Sequence, residues 1–561
     1  MRKRQEMLPD QKGLEGELRN FKKDRQNMSD WQKEWERFLE DCEQAVEISR
    51  RNLCRLMEDN KNTEYGRRYG FAGIRTAEDY QRQVPVSDYS DYEEEIARMK
   101  QGEEELLTSY EVKHYIMTSG STGRQKRIPL TKEALDRCIF PIYYAAYACI
   151  PGIDTGRYLH LSVFRMEPPA LETETILSAA YFRELYDRGT FHLEERYLGG
   201  TGLLFSKGVG VVPYVKLWIA LSSPEMAGIQ AFFLYDILLF LRYFEENWQQ
   251  VLEDAACRRI PEKLPLSDSV RKELLKFPAP EKAWLQRVER ECRKGFDGIV
   301  GRLWKRMKFV SGVGGSTFTA QEPMLRAYLG EVPVHYFTYA ASECMMGITT
   351  RMESTDNVLI PKSGFYEFLP YNKEGNQSPR TMEELEVGAY YELLVTNFSG
   401  LYRYRLNDVV QVTGFCGQAP VLKICFRKNQ AVNIAGEKMD LGIISSAMEL
   451  LAGECNIRIL EHSIYDEKSL LPGRYQCFVE TDSDWSQPDA GRILDRILME
   501  QNEDYKDLRS LGLIGEASVS RVQKGTHLEC RRRFLAEQSN LKPLQYLTDQ
   551  RLVAFMKERI C

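Results

Sequence analysis

The apolar positions change period several times along the chain, and each change predicts an element. Trp31, Trp35, Phe38, Cys42, Val46 and Leu53 recur at helical spacing, which predicts one long amphipathic helix to about Met57. Asn62–Gly66 ends it, and Val84–Tyr89 is an extended segment leading into a helix over Tyr92–Gln101. His114–Met117 is a short apolar strand. After Pro129 the pattern turns helical, with Thr131 as N-cap and Glu133 in the first turn. Ile139–Ile150 reads as an aromatic-rich helix and Leu159–Phe164 as a buried strand. Tyr214–Phe244 is the most apolar long run. Lys216, Ser222, Ser223, Pro224, Glu225, Asp236 and Arg242 interrupt it too often for a membrane span, so two buried helices are expected. Asn247–Trp304 is charged and helical, with proline-rich breaks.

From Phe309 the chain alternates strand and helix. A strand runs into glycines at Gly312–Gly315, Thr319–Glu322 forms a capping box with Pro323 just inside the helix, and the helix stops near Gly330. Val332–Thr338 is the next strand, so this is a β-loop-α-β unit with its ligand side beyond the carboxyl ends of the strands. Gly364–Pro370, Tyr390–Thr396, Leu401–Arg405 and Val409–Thr413 then read as strands, with turns at Ser399-Gly400 and Asn407-Asp408. That is an antiparallel meander, a small barrel or sheet. Beyond Phe426 a helix, two strands, a helix and a strand suggest a compact α+β unit. The expected organisation is a disordered tail over 1–30, a large domain over 31–425 and a small lid over 426–561.

Bulk properties narrow the partners. A chain of 561 residues buries a large core. Its net charge is −6 with no long basic block outside the N-terminus, which argues against nucleic acid. The thirteen cysteines are scattered without a Cys-x-x-Cys pair, the pattern of reduced cytosolic thiols rather than disulfides or zinc. The charged N-terminus lacks the apolar region of a signal peptide. A cytoplasmic monomer with no membrane partner is expected.

The candidate chemistry concentrates at Thr118–Pro129. Two glycines, four hydroxyl residues and three basic residues fall within ten positions, Thr118 to Arg127. Glycines let backbone N–H groups approach an anion, hydroxyls donate to its oxygens, and Lys126 brings charge. This suits a polyphosphate cradle, although a Ser/Gly surface turn has the same composition. It is not a Walker loop, since no Gly-Lys-Ser/Thr closes it. Gly208-Val209-Gly210 lacks the remaining dinucleotide fingerprint. At the end of the Val332–Thr338 strand, Tyr339 offers a ring to stack on a purine and Glu343 a carboxylate for Mg²⁺ near phosphates. The same residues also suit a strand end with Ser342 as helix cap. Asp408, in a tight turn, can accept both hydroxyls of a ribose or simply close an Asx turn.

Taken in order, these motifs resemble the adenylate-forming superfamily of acyl-CoA synthetases, peptide-synthetase adenylation domains and luciferases. The closer resemblance is to the auxin-responsive Gretchen-Hagen family of acyl acid amido synthetases. It is carried by Tyr-Ala-Ala-Ser-Glu at 339–343, Gly-Leu-Tyr-Arg-Tyr-Arg at 400–405 and Val-Thr-Gly-Phe at 412–415. Glu-Phe-Leu-Pro at 367–370 and Gln-Val-Pro-Val at 83–86 add to it, and it spans roughly residues 31–545.

The resemblance implies a multi-domain α/β, luciferase-like fold with a β-barrel and a mobile C-terminal domain. It implies ATP and Mg²⁺, and a carboxylic acid and an amino acid as substrates. Ser119, Gly120, Ser121, Thr122, Gly123 and Lys126 resemble the phosphate loop. Tyr339 resembles the adenine-stacking aromatic, and Ser342 and Glu343 the phosphate and magnesium end of its motif. Asp408 resembles the ribose ligand, Arg405 its neighbouring arginine, Arg427 the hinge arginine, and Lys542 the C-terminal catalytic lysine. Three positions depart from the family pattern. Leu544 stands where an arginine is usual, Asn407 where a glycine is usual, and Ala341 where a serine is usual. Asparagine tolerates positive φ, so the turn at 407 can survive. The other functions weighed are an adenylating enzyme with a thiol or different amine acceptor, and a catalytically idle nucleotide-binding protein.

Overall fold

The computed structural model describes residues 30–117, 126–140, 145–150, 153, 156–161, 174–175, 177, 180–181, 184, 196–199, 212–264, 266–314, 322–371, 378–428, 432, 434, 439, 441–470, 472–482, 484–485, 487–510, 514–534 and 543–561. The expected tail, the loop Ser119–Gly123, the capping residues Thr319–Gln321 and Lys542 lie outside these.

The N-terminal amphipathic run forms two helices, α1 (Asp30–Glu43) and α2 (Ala45–Asn60), not one. Gln418, far along the chain, causes the break. Its backbone N–H donates to the Cys42 carbonyl at 2.8 Å, and its side-chain oxygen accepts the Val46 N–H at 3.2 Å. Those two backbone groups would otherwise bond each other across one helical turn. Gly417 permits this approach, because a Cβ there would lie 2.8 Å from the Cys42 oxygen. A further helix, α3 (Glu93–Lys100), precedes the first strand pair, as its spacing predicts.

Strands β1 (Val112–Met117) and β2 (Arg127–Thr131) pair antiparallel, with Met117 opposite Arg127. The glycine- and hydroxyl-rich segment therefore connects two fixed strand ends. Helix α4 (Lys132–Phe140) follows at once, and Thr131 caps it by accepting the Ala134 N–H at 3.1 Å.

Four short strands make a parallel sheet in the order β3 (Tyr158–His160), β5 (Gly228–Phe233), β6 (Phe309–Val313), β7 (Val334–His335). A two-residue strand, β4 (Glu174–Thr175), instead joins β1. The Tyr214–Phe244 run was expected to be two helices; it is helix α5 (Val212–Leu221), strand β5, then helix α6 (Leu234–Ala256). A fully buried strand and a buried helix both read as unbroken apolar sequence, so periodicity could not separate them. Helix α7 (Glu322–Leu329) crosses from β6 to the parallel β7, confirming the β-loop-α-β unit.

Phe337 adopts left-handed backbone (φ 58°) and turns the chain out of the parallel sheet into β8 (Thr338–Ala340). This strand begins a seven-stranded antiparallel sheet with β9 (Met345–Thr349), β10 (Asn357–Leu359), β11 (Gly364–Pro370), β12 (Tyr390–Asn397), β13 (Tyr404–Cys416) and β14 (Ala419–Arg427). The order is β11-β12-β13-β14-β10-β9-β8, so of the expected barrel or sheet the chain forms a sheet, whose end strands do not pair among the described residues. The sheet curls, however. The Cys344 thiol, between β8 and β9, lies 3.8 Å from the Tyr366 hydroxyl on β11.

The two expected strands around Asn407-Asp408 are one continuous β13. Asn407 does take positive φ (63°), but within a bulge against β12 and not at a turn. The expected domain boundary at 425/426 falls inside β14. Beyond it, helix α8 (Leu441–Glu454), strands β15 (Ile459–Glu467) and β16 (Arg474–Thr481), helix α9 (Ala490–Gln501), strand β17 (Ser518–Arg521) and helix α10 (Thr526–Phe534) form a second α+β unit.

A buried ion pair inside this unit also reaches the large one through a tyrosine hydroxyl. Arg531 on α10 donates to Glu461 at 2.6 and 3.0 Å and also to the Tyr235 hydroxyl on α6. All thirteen cysteines are free thiols. No helix among the described residues is long and apolar enough to cross a membrane.

Candidate active site

Two small polar networks meet where β8, β13 and β14 converge on the end of β2. The first centres on Asp408, which is 3% exposed. Its carboxylate accepts the Tyr339 hydroxyl at 2.8 Å and a two-pronged contact from Arg427, Nε at 2.6 Å and Nη2 at 3.0 Å. The pairing of β13 with β14 sets this geometry, since Asp408 and Arg427 are direct register partners. Strand alternation alone would put Asp408 on the face of Tyr404. The bulge at Asn407 leaves both Asp408 and Val409 buried.

Burial, and then the charge of Asp408, pushes the Tyr339 phenol well above its ordinary pKa, so it remains a donor. Burial opposes the Arg427 cation. The Asp408 carboxylate outweighs that, and with Glu343 and Tyr339 contributing, Arg427 stays more basic than a free arginine.

The second network centres on Tyr404. Its hydroxyl accepts from Lys126 Nζ at 3.1 Å and donates to Glu343 Oε1, also at 3.1 Å. The ammonium lies 4.0 Å from the same carboxylate oxygen and 5.5 Å from the Tyr89 ring centroid. Burial first, and then Glu343, raises the Tyr404 phenol, so this bridge too stays protonated. Glu343 is fixed by its backbone, whose carbonyl accepts the Asn397 amide at 2.6 Å. Ser342 shares the β8–β9 turn closed by Ala341 and Cys344.

The sequence-derived residues thus divide. Lys126 and Glu343 come together, as do Tyr339, Asp408 and Arg427, and Glu343 links the networks electrostatically through Arg427. Arg405 points elsewhere; its hydrogen-bond partner among the described residues is Glu392 at 3.5 Å. Lys542 and Ser119–Gly123 lie outside the described residues.

Tyr404 was missed by sequence reasoning, although it stands inside a quoted motif. Alternation along β13 was the available signal, since it puts Tyr404 and Arg405 on opposite faces. Arg403 was missed as well, and it ties three motifs together. Buried and in left-handed backbone (φ 49°), it donates to Glu367 at 2.9 and 3.0 Å and to the Val84 carbonyl at 2.7 Å. Gln-Val-Pro-Val, Glu-Phe-Leu-Pro and Gly-Leu-Tyr-Arg-Tyr-Arg are therefore one packing unit behind the site.

For Mg²⁺, the donor set fits in a limited way. Glu343 offers one oxygen beyond its tyrosine bond, and no cluster of three acidic, histidine or cysteine ligands forms among the described residues. That matches a cation held chiefly by phosphate oxygens and water.

Three family models match the chain: the GH3 family N-terminal domain over 34–334, its central domain over 357–427 and its C-terminal domain over 444–546. Indole-3-acetic acid-amido synthetase GH3.3 of Arabidopsis thaliana is 26% identical over 515 residues, covering 87% of this chain and 86% of that protein. Indole-3-acetic acid-amido synthetase GH3.8 of Oryza sativa subsp. indica is 26% identical over 526 residues, covering 88% and 86%. Among solved structures, GH3.15 acyl acid amido synthetase superposes with a TM-score of 0.83 at 23% identity, over 93% of this chain and 95% of that one. The same enzyme in complex with 2,4-DB gives 0.81.

Proposed function

The chain belongs to the GH3 family, and from that premise we propose that it is an ATP-dependent ligase joining a carboxylic acid to an amino acid. The acid's carboxylate oxygen attacks the α-phosphorus of ATP, the bond to the bridging oxygen breaks, and pyrophosphate leaves. The amino nitrogen then attacks the acyl carbon of the adenylate, loses a proton, and AMP departs with the bonding electrons. The observation that carries this reading is the pair of networks at one strand junction. One puts a cation beside a metal-capable carboxylate, and the other offers a buried carboxylate held by an arginine at the domain boundary.

In this scheme Lys126, with Ser119–Gly123, holds the triphosphate and neutralises charge as pyrophosphate leaves. Glu343 would hold Mg²⁺, and the bound ion would supply further charge neutralisation on the phosphates. Tyr339 borders the adenine, and Asp408 takes the ribose hydroxyls. Both Asp408 oxygens are engaged by Arg427 and Tyr339, so ribose must share or displace the guanidinium. That couples nucleotide binding to the strand end that leads into the lid. Lys542 would enter from the lid, and Arg405 would act only after leaving Glu392. Residues 31–425 and 426–561 act as catalytic body and lid, excluding water that would hydrolyse the adenylate.

The test is ATP–pyrophosphate exchange across a broad panel of carboxylic acids, followed by AMP release on adding amino acids or coenzyme A. Exchange with one acid and amino-acid-dependent AMP release support the ligase. If no acid supports exchange, the reading fails in favour of an idle nucleotide binder.

A further inference from the structure

Every strand of the parallel sheet carries a polar residue at one register. His160 of β3 pairs with Gln230 of β5, Gln230 with Ser311 of β6, and Ser311 with His335 of β7. All four are buried. Their neighbours Leu159, Ile229, Val310 and Val334 belong to the apolar core that α6 covers, so alternation turns the polar row to the opposite face. Rings stand there. His160 lies edge-on to Tyr197 at 5.3 Å and to Phe232 at 6.0 Å between centroids, and His335 lies 5.8 Å from Tyr147.

Polar groups in such surroundings cost stability unless they are bonded. Ser311 and His335 satisfy each other at 3.0 Å, and Tyr147 also bonds Ser311. Gln230 differs. The residue is 3% exposed, and its Oε1 has no hydrogen-bond partner among the described residues. Leucine in that place would fold at no such cost.

The position of the row gives the orphan oxygen a purpose. It lies toward the carboxyl ends of β3 and β7, the side where ligands of parallel sheets sit. His335 is four residues from Tyr339, and with the chain turned at Phe337 the two lie within about 13 Å, a separation that an aryl acid lying between the row and the adenylation site can span.

We propose that Gln230 is a specificity-determining residue at the floor of the acyl pocket. The acid activated here would be planar or aromatic and carry a hydroxyl or N–H donor at the end away from its carboxylate. This rests on the adenylating function above. The Gln230 oxygen accepts that donor, and the flanking rings cover the apolar body of the acid.

Gln230→Leu is tested with matched acids, 3-(4-hydroxyphenyl)propanoate against 3-phenylpropanoate and indole-3-acetate against 1-naphthaleneacetate. Pyrophosphate exchange gives kcat/KM, and calorimetric titration gives acid binding without turnover. Wild type should favour the donor-bearing member of at least one pair by about tenfold or more. The variant should lose that preference by losing the donor-bearing acid, with an unchanged or raised melting temperature. Gln230→Met serves if the leucine variant does not fold.

Exchange that proceeds with a preference independent of Gln230 overturns the pocket and leaves the ligase standing. A Gln230-dependent binding preference without any exchange does the reverse. Wild type that favours no donor-bearing acid, or binds no acid in the panel, also overturns the pocket.

Discussion

Asp408 serves two purposes that Asp408→Ala and Asp408→Asn can separate. The sequence suggests that the alanine variant loses ATP affinity without a stability cost, because the side chain faces ligand. The geometry corrects that expectation, since the carboxylate is buried and already bonded. In the alanine variant the Tyr339 hydroxyl loses its acceptor in a buried site, which costs about 1–3 kcal/mol. Arg427 loses its partner too. A fully buried pair would add about 3–5 kcal/mol. The Arg427 side chain is 40% exposed, however, so water takes over and about 1 kcal/mol is the better figure. The total is about 2–4 kcal/mol for alanine and about 1 kcal/mol for asparagine, which keeps an oxygen for Tyr339.

Ribose binding adds a separate loss. Two hydroxyls bonded to a carboxylate at about 1.5 kcal/mol each give about 3 kcal/mol, roughly a hundredfold in Kd for alanine and about tenfold for asparagine. Urea unfolding followed by circular dichroism measures the first effect, and calorimetric titration with ATP measures the second. Asp408→Asn that binds ATP within about twofold of wild type would remove Asp408 from the nucleotide site. Asp408→Ala as stable as wild type would refute the buried network.

Three further tests address neighbouring features. Tyr404→Phe keeps the ring but removes the bridge between Lys126 and Glu343, so the adenylation rate in single-turnover quench-flow should fall about tenfold with little change in ATP affinity. Lys126→Ala should likewise lose rate beyond binding; equal losses in both would count against a transition-state role. Arg403→Lys cannot reproduce the forked contact with Glu367 and the Val84 carbonyl, and should cost about 3–5 kcal/mol in urea unfolding. A loss below about 1 kcal/mol would show that the three motifs are not joined through it.

Acid should act in two steps. Burial holds His335 and His462 down to about 4 in the folded protein, below the ordinary 6.5, so unfolding takes up protons as pH falls. Their stabilising contribution is complete above 6.5 and drains away between 6.5 and 4. Glu461 is held down to about 2: burial opposes its charge, but Arg531 outweighs that, so its contribution is lost only from about 4.5 downward. His462→Gln should flatten the upper step in a pH series of unfolding curves, and a profile flat down to 4.5 in wild type would contradict the histidine assignment.

The sequence by itself determined the local pieces. The strand before the hydroxyl-rich loop, the cap at Thr131 and the α/β order beyond Arg427 each follow from a few adjacent residues, whose period or side-chain chemistry fixes the backbone near them. The candidate-site residues Lys126, Tyr339, Glu343, Asp408 and Arg427 were singled out because each stands in a short motif that resembles the family's, and the structure brings them into two adjoining groups. Other features required the tertiary structure. Strand β5 was hidden because burial on both faces erases the alternation that marks a strand. The break at Gln44 depends on an amide 372 residues beyond Val46. The Lys126–Tyr404–Glu343 bridge and the Arg403 junction join segments that share no local pattern. The row from His160 to His335 is the extreme case. Its four members lie on four strands, and only the register of the sheet puts them on one line. Sequence period reports which face a residue occupies, whereas register between distant strands is set by packing the whole core at once.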